Sequence, residues 1–122
     1  MRNFRKLDIW KDAIELAVEV YRITRAFPRE EEFGLKSQLR RASTSISFNI
    51  AEGSSRSSDR EYARFLEVAE GSAFEVETQL IVSFRVNLLS SESMDQLLTQ
   101  LHSLQRRINR LIQKIKGDLN HQ

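Results

Sequence analysis

Apolar residues recur along this chain every three or four positions, in four blocks separated by short polar breaks. That spacing is the signature of a helix with one buried face. The first block begins near Asp8 and extends to about Ala26, with Trp10, Ala13, Ala17, Val20, Tyr21 and Thr24 on a shared face. Phe27-Pro28 stops it, because the residue before a proline is pushed out of the helical region. Arg29 to Glu32 forms a short charged connection. The second block covers about residues 33–52, with Leu35, Leu39, Ala42 and Ile46 as its apolar stripe and Gly53 at a C′ position. The segment from Gly53 to Ser57 reads as a loop. Ser58-Asp59-Arg60-Glu61 then matches a capping box. The third block, about 59–87, is ~40 Å long at the helical rise per residue. Its main stripe is Tyr62, Leu66, Ala69, Ala73, Val76, Leu80 and Phe84. Ser90 or Ser91 caps the fourth, about 91–116, which repeats Met94, Leu97, Leu101, Leu104, Ile108, Leu111 and Ile115 as an a/d seam before Gly117. The tail from Asp118 to Gln122 is expected to fray.

Four amphipathic segments with short connections predict an all-α fold, an antiparallel up-down-up-down four-helix bundle, in one domain over residues 1–122. Two features go beyond that plan. Phe74, Ile81 and Leu88 make a second apolar stripe, about 100° around the third helix from the first, and read as an oligomer contact or the flank of a broad core. Gly71 lies inside the same helix, where glycine costs about 1 kcal/mol relative to alanine; close approach of another backbone would compensate.

A polar line runs beside the apolar stripe of the second helix. Gln38, Ser45 and Glu52 recur every seven residues, with Arg41 and Asn49 between them, so the five form one seam. A solvated face is more often Lys and Glu. Short amides and hydroxyls beside a core need partners, because an unpaired buried group costs about 1–3 kcal/mol. As structure, the seam fixes register, as a buried Asn can in a coiled coil. As function, it lines a groove or pore.

Composition supports helices: four Gly and one Pro are few for a turn-rich β architecture. With no Cys, disulfides, thiolate metal sites and a Cys nucleophile are excluded, and a reducing, cytoplasmic setting fits. No window approaches the ~18–20 apolar residues of a membrane span, and the basic start has no apolar run of signal-peptide length behind it. Di-iron bundle sites need Glu-x-x-His pairs; neither His102 nor His121 completes one. No G-x-S-x-G elbow, phosphate-binding loop, dinucleotide fingerprint or calcium loop is present. No catalytic residue, metal site or cofactor is expected.

The formal net charge is only +2, so the distribution of charge matters more than its sum. Arg106, Arg107, Arg110 and Lys114 share about 100° of the fourth helix, away from its seam. Arg56, Arg60 and Arg64 gather at the start of the third, and Arg2, Arg5 and Lys6 at the N-terminus. Each cluster alone is an ordinary solubilising face. Together they point to phosphate contacts, because a guanidinium donates two parallel hydrogen bonds to a phosphate. Packing against acidic faces of other subunits is a competing use, since the third helix carries an acidic surplus.

The run Gln38 to Gly53, Q-L-R-R-A-S-T-S-I-S-F-N-I-A-E-G, resembles the signature of the bacterial four-helix-bundle family encoded by intervening sequences of 23S ribosomal RNA genes. Leu7-Asp8-Ile9-Trp10-Lys11 resembles that family's opening, and Tyr21 to Thr24 leading to Phe27-Pro28 and Glu32-Phe33-Gly34-Leu35 its first hairpin. Arg56 with Glu61, Phe65 and Leu66, then Ala69-Glu70-Gly71-Ser72 through Glu75 and Gln79-Leu80, resembles its third helix. Coverage runs from about Phe4 to Leu89; Phe48 is a departure, larger and more apolar than the pattern there. The resemblance implies a ring-like homopentamer. It also implies similarity to the accessory variability proteins of diversity-generating retroelements, which are basic, pentameric and bind nucleic acid. It supplies no catalytic residue.

The expected function is therefore that of a non-enzymatic homo-oligomer binding RNA or DNA through Arg56, Arg60, Arg106, Arg107, Arg110 and Lys114. The alternative is a scaffold for a partner protein such as a reverse transcriptase.

Overall fold

The structure, a computed structural model, describes residues 2–120. Among these, a single 3-10 turn at Phe4–Lys6 leads into α1 (Asp8–Thr24), and a second at Arg29–Glu31 precedes α2 (Leu35–Ser54), α3 (Asp59–Arg85) and α4 (Ser91–Asn120). No strand occurs among the described residues. Helix α2 packs on α1 and α3, α3 on α4, and α1 closes against α4. The four helices thus form a bundle around one core, in which Leu16, Leu39, Ile46, Ile50, Leu66, Leu80, Leu101, Leu104, Ile108 and Ile112 are fully buried. Burial of each such side chain contributes ~1.5–3 kcal/mol relative to exposure.

Local chemistry explains where the helices start and stop. Ser58 Oγ accepts from the Glu61 amide at 3.2 Å and starts α3. Ser90 Oγ accepts from the Ser93 amide at 3.1 Å and starts α4. Between them Asn87 adopts φ 67°, a left-handed conformation that asparagine tolerates. The Leu88 amide then reaches Ser83 O at 2.9 Å and the Asn87 amide reaches Phe84 O at 3.0 Å. That pair of bonds is a Schellman motif with Asn at C′, and it closes α3.

Several sequence expectations are corrected. Helix α1 ends at Thr24, two residues short of Ala26. Its buried face is Ile9, Ala13, Leu16, Ala17, Val20 and Thr24, whereas Tyr21 is 42% exposed. Tyr21 turns outward and lies beneath the Arg40 guanidinium, 4.4 Å from the ring centroid. Arg40 also donates from Nε to Thr24 Oγ1 at 2.8 Å, which satisfies that buried hydroxyl. Helix α2 begins at Leu35, and Leu35 is only half-buried at its open end. In α4 the buried line shifts from Leu111 to Ile112, because a 3.6-residue helix drifts ~20° per heptad from a strict a/d repeat. Helix α4 also continues through Gly117 to Asn120, held by Leu119 packing against the core. The rest of the expected frayed tail, His121 and Gln122, lies outside the described residues.

Both internal glycines behave differently from expectation. Gly71 is exposed, and a Cβ built there would meet nothing within 4 Å among the described residues, so none of their backbone approaches it. Gly53 is not a C′ residue: α2 runs on to Ser54, and Gly53 is buried in its last turn. A Cβ at Gly53 would lie 2.8 Å from Phe65 Cβ and 3.2 Å from Tyr62 O. Neither atom is the free end of a flexible side chain, so α2 and α3 meet here at a distance only glycine allows. Gly53→Ala is expected to destabilise the fold by about 1–3 kcal/mol through overpacking, read as a lower Tm. An unchanged Tm would show that α2 and α3 part without cost.

Candidate nucleic-acid interface

The polar seam of α2 lies along α3 and finds its partners there or in its own helix. Gln79 Nε2 donates to Gln38 Oε1 at 3.1 Å. Ser45 Oγ and Ser72 Oγ are 2.8 Å apart, joining the two helices at their midpoints. Asn49 is buried and donates from Nδ2 to Ser45 O at 2.8 Å and to Ser45 Oγ at 3.0 Å. Glu52 accepts from Arg56 Nη2 at 2.9 Å. Arg41 is exposed at the seam's outer edge. Of the five, only Gln38 and Ser45 reach across to α3; Asn49 bonds within α2, and Glu52 holds Arg56 in the loop that follows it.

The six cations singled out from the sequence do not gather at one place. Arg56 is pinned by Glu52 and stacks over Phe65, 4.8 Å from the ring centroid. Arg107 faces α1, where Nη2 lies 2.7 Å from Asp12 Oδ2. Lys114 is exposed on the outer side of α4. Arg60, Arg106 and Arg110 remain, exposed along the groove between α3 and α4.

That groove is built by a ladder of polar contacts. Glu67 accepts from Lys116 Nζ at 3.1 Å, Glu70 from Asn109 Nδ2 at 2.9 Å, and Glu77 from Gln105 Nε2 at 3.3 Å. His102 Nε2 is 3.3 Å from the second Glu77 oxygen. Glu67, Glu70 and Glu77 are therefore engaged by donors on α4, whereas Glu61 and Glu75 are exposed, Glu61 beside Arg60 and Arg64. One depression, of about 460 Å³, holds Arg60, Arg64 and Lys116 near the start of α3. A second, of about 390 Å³, is lined by Glu70, Phe74, Gln105, Arg106, Asn109 and Arg110. Among the described residues, Arg60, Arg64, Arg106 and Arg110 make no ion pair.

Lys116 escaped the sequence reading because it sits at the predicted end of the fourth helix. Phe74, which the second stripe offers as an oligomer contact or the flank of a broad core, is exposed beside Arg106 and Arg110. A signal for Lys116 existed in its spacing, seven residues beyond Asn109 and so on the same face of the helix.

The other buried hydroxyls of α2 are occupied. Ser43, Ser47 and Ser54 donate to the carbonyls of Arg40, Thr44 and Ala51 in their own helix, at 2.9, 3.0 and 2.8 Å. Burial pushes the Tyr62 phenol pKa up, against the opposing pull of the Arg2 guanidinium, so Tyr62 is neutral at physiological pH. Among the described residues, no three His, Cys, Asp or Glu side chains gather to hold a metal ion, and no helix is long and apolar enough to cross a membrane.

Asn49→Ala tests the seam. Removing its two bonds is expected to cost about 1 kcal/mol, seen as a fall in Tm with nucleic-acid affinity unchanged. Unchanged stability with lost affinity would instead make the seam a binding surface.

Comparison with known proteins places these features in a family. No match is found among curated proteins. A crystal structure of a protein of unknown function from the S23 ribosomal protein family of Bacteroides thetaiotaomicron superposes with a TM-score of 0.77. It is 22% identical, over 85% of this chain and 97% of that one, and so speaks for the fold. The profile of the 23S rRNA-intervening sequence proteins matches residues 5–110, the greater part of all four helices. The chain belongs to the 23S rRNA-intervening sequence protein family.

Proposed function

We propose that this protein is a non-enzymatic, homo-oligomeric nucleic-acid-binding accessory protein of the cytoplasm, and that it grips the phosphate backbone along the α3–α4 groove. The observation that carries this reading is the exposure of Arg60, Arg64, Arg106 and Arg110 along one groove in which Glu67, Glu70 and Glu77 are already engaged by α4 and Glu61 is the one carboxylate without a donor there among the described residues. Unpaired guanidinium groups in a row suit a chain of phosphates. Arg56 and Arg107 contribute less, because Glu52 and Asp12 hold them. No side chain is set up to read base edges in a duplex groove, so preference among duplex sequences is modest.

The bundle runs up-down-up-down. Two sets of contacts support that topology. Along α2 and α3, Gln38 meets Gln79 and Ser45 meets Ser72. Along α3 and α4, Glu67 meets Lys116 and Glu77 meets Gln105. In each set one number rises as the other falls.

Assembly, as a homopentamer, uses the outer face of α2 and α3. Phe48 is 62% exposed there, and Val68, Val82 and Val86 are exposed beside it. Gln79 Oε1 is buried at the same edge with no partner among the described residues. Copies of the groove on one particle would strengthen weak phosphate contacts by avidity. A scaffold for a partner protein such as a reverse transcriptase is the second reading, and the same apolar face favours it.

Binding to RNA and DNA should weaken steeply with salt, and Arg106→Gln with Arg110→Gln should lower the slope of log affinity against log salt by roughly two. Arg107→Gln should alter the slope less. A flat salt response, or no binding at low salt, removes the reading. Phe48→Asp should reduce the particle mass measured in solution; a wild-type protein that is monomeric at all concentrations contradicts the assembly.

A further inference from the structure

We infer that Phe74 is a stacking platform for an unpaired base, so that the α3–α4 groove prefers single-stranded RNA to duplex. The inference rests on the phosphate-binding reading and sharpens its ligand. Phe74 is 56% exposed in the middle of α3, on a helix otherwise rich in carboxylates and small residues at its surface. Its surroundings are Arg106 and Arg110 on one wall, with Gln105, Asn109 and Glu70 beside them.

Each neighbour supplies one part of nucleotide recognition. An aromatic face takes any base, because every base has a π-face, and Arg106 and Arg110 lie where the flanking phosphates of a stacked nucleotide would run. Glu70 is the exception to a cationic lining, and it would repel a phosphate. Its Oε2 already accepts from Asn109 Nδ2 at 2.9 Å. The remaining carboxylate oxygen can accept from the exocyclic amino group of a base. The amides of Gln105 and Asn109 can meet a ribose 2′-hydroxyl, which both donates and accepts. In a perfect duplex the bases stack on one another and cannot reach Phe74. Unpaired bases in RNA loops and single strands can be splayed onto an aromatic side chain.

Charge separates this patch from the outer face of α2 and α3. There the exposed residues Phe48, Val68, Val82 and Val86 are apolar, which suits a second protein surface. Around Phe74 the two arginines make a dry contact with protein costly and a contact with phosphate favourable.

The test uses the whole protein and three probes of equal length: a single-stranded RNA carrying one 2-aminopurine, the same sequence as DNA, and a perfect RNA duplex. Wild type should quench 2-aminopurine fluorescence and bind the single-stranded RNA more tightly than the duplex. Phe74→Ala should lower single-strand affinity about tenfold, leave duplex affinity and Tm unchanged, and abolish quenching. Phe74→Trp should restore both. Equal single-stranded RNA and DNA affinity would overturn the role of the 2′-hydroxyl. If Phe74→Ala changes the affinity for none of the three probes while Arg106→Gln weakens all of them, the stacking inference fails and phosphate binding stands. If wild type binds none of the probes, both fail. A fall in particle mass on Phe74→Ala would assign the patch to contact between copies and overturn the inference.

Discussion

The bundle depends on how closely α2 approaches α3. Gly53 brings the two backbones together against Tyr62 and Phe65 at one end, and Ser45–Ser72 and Gln38–Gln79 hold them along the rest. Apolar burial alone would leave the helices free to slide, since Leu, Ile and Ala surfaces fit in more than one register. The bonds from Gln38 to Gln79 and from Ser45 to Ser72 tie particular residues together and so oppose such a slide. The polar seam therefore converts a collapsed set of helices into one arrangement. It also sets the rotation of α3, which decides which of its residues meet α4.

From that rotation the charge pattern of the surface follows. Glu67, Glu70 and Glu77 turn toward α4 and are engaged by Lys116, Asn109, Gln105 and His102. Arg60 and Arg64, on the same helix, turn outward. A chain whose formal net charge is only +2 thereby gathers four exposed arginines along the α3–α4 groove, with Glu61 among them. Local arrangement outweighs net charge because, at physiological salt, charges farther apart than ~8 Å are largely screened.

Helix number and order were legible from periodicity alone, because each helix buries one stripe and the breaks between them carry Pro28, Ser58 and Ser90. The polar seam was legible too, since Lys and Glu are absent from most of it. What periodicity leaves open is the neighbour of each face. Arg106 and Arg107 are one residue apart, yet the first borders α3 and the second pairs with Asp12 on α1. Only the order of helices around the core distinguishes them. Gly53 was misread for a similar reason: a glycine at a helix end and a glycine at a helix crossing look alike in sequence, and the positive φ that marks a left-handed C′ residue is absent here. Phe74 stood out as apolar on a second stripe, but its pairing with two arginines from another helix is a tertiary fact.

The central claim is that nucleic acid contacts the free arginines of the α3–α4 groove and spares the ion-paired ones. The most direct measurement follows the side-chain Nε–Hε resonances of the arginines by NMR during titration with RNA. Shifts concentrated at Arg60, Arg64, Arg106 and Arg110, with Arg107 little changed, are the predicted result. Shifts confined to Arg22, Arg25 or Arg29 at the opposite side of the chain's first connection, with the groove silent, would contradict it.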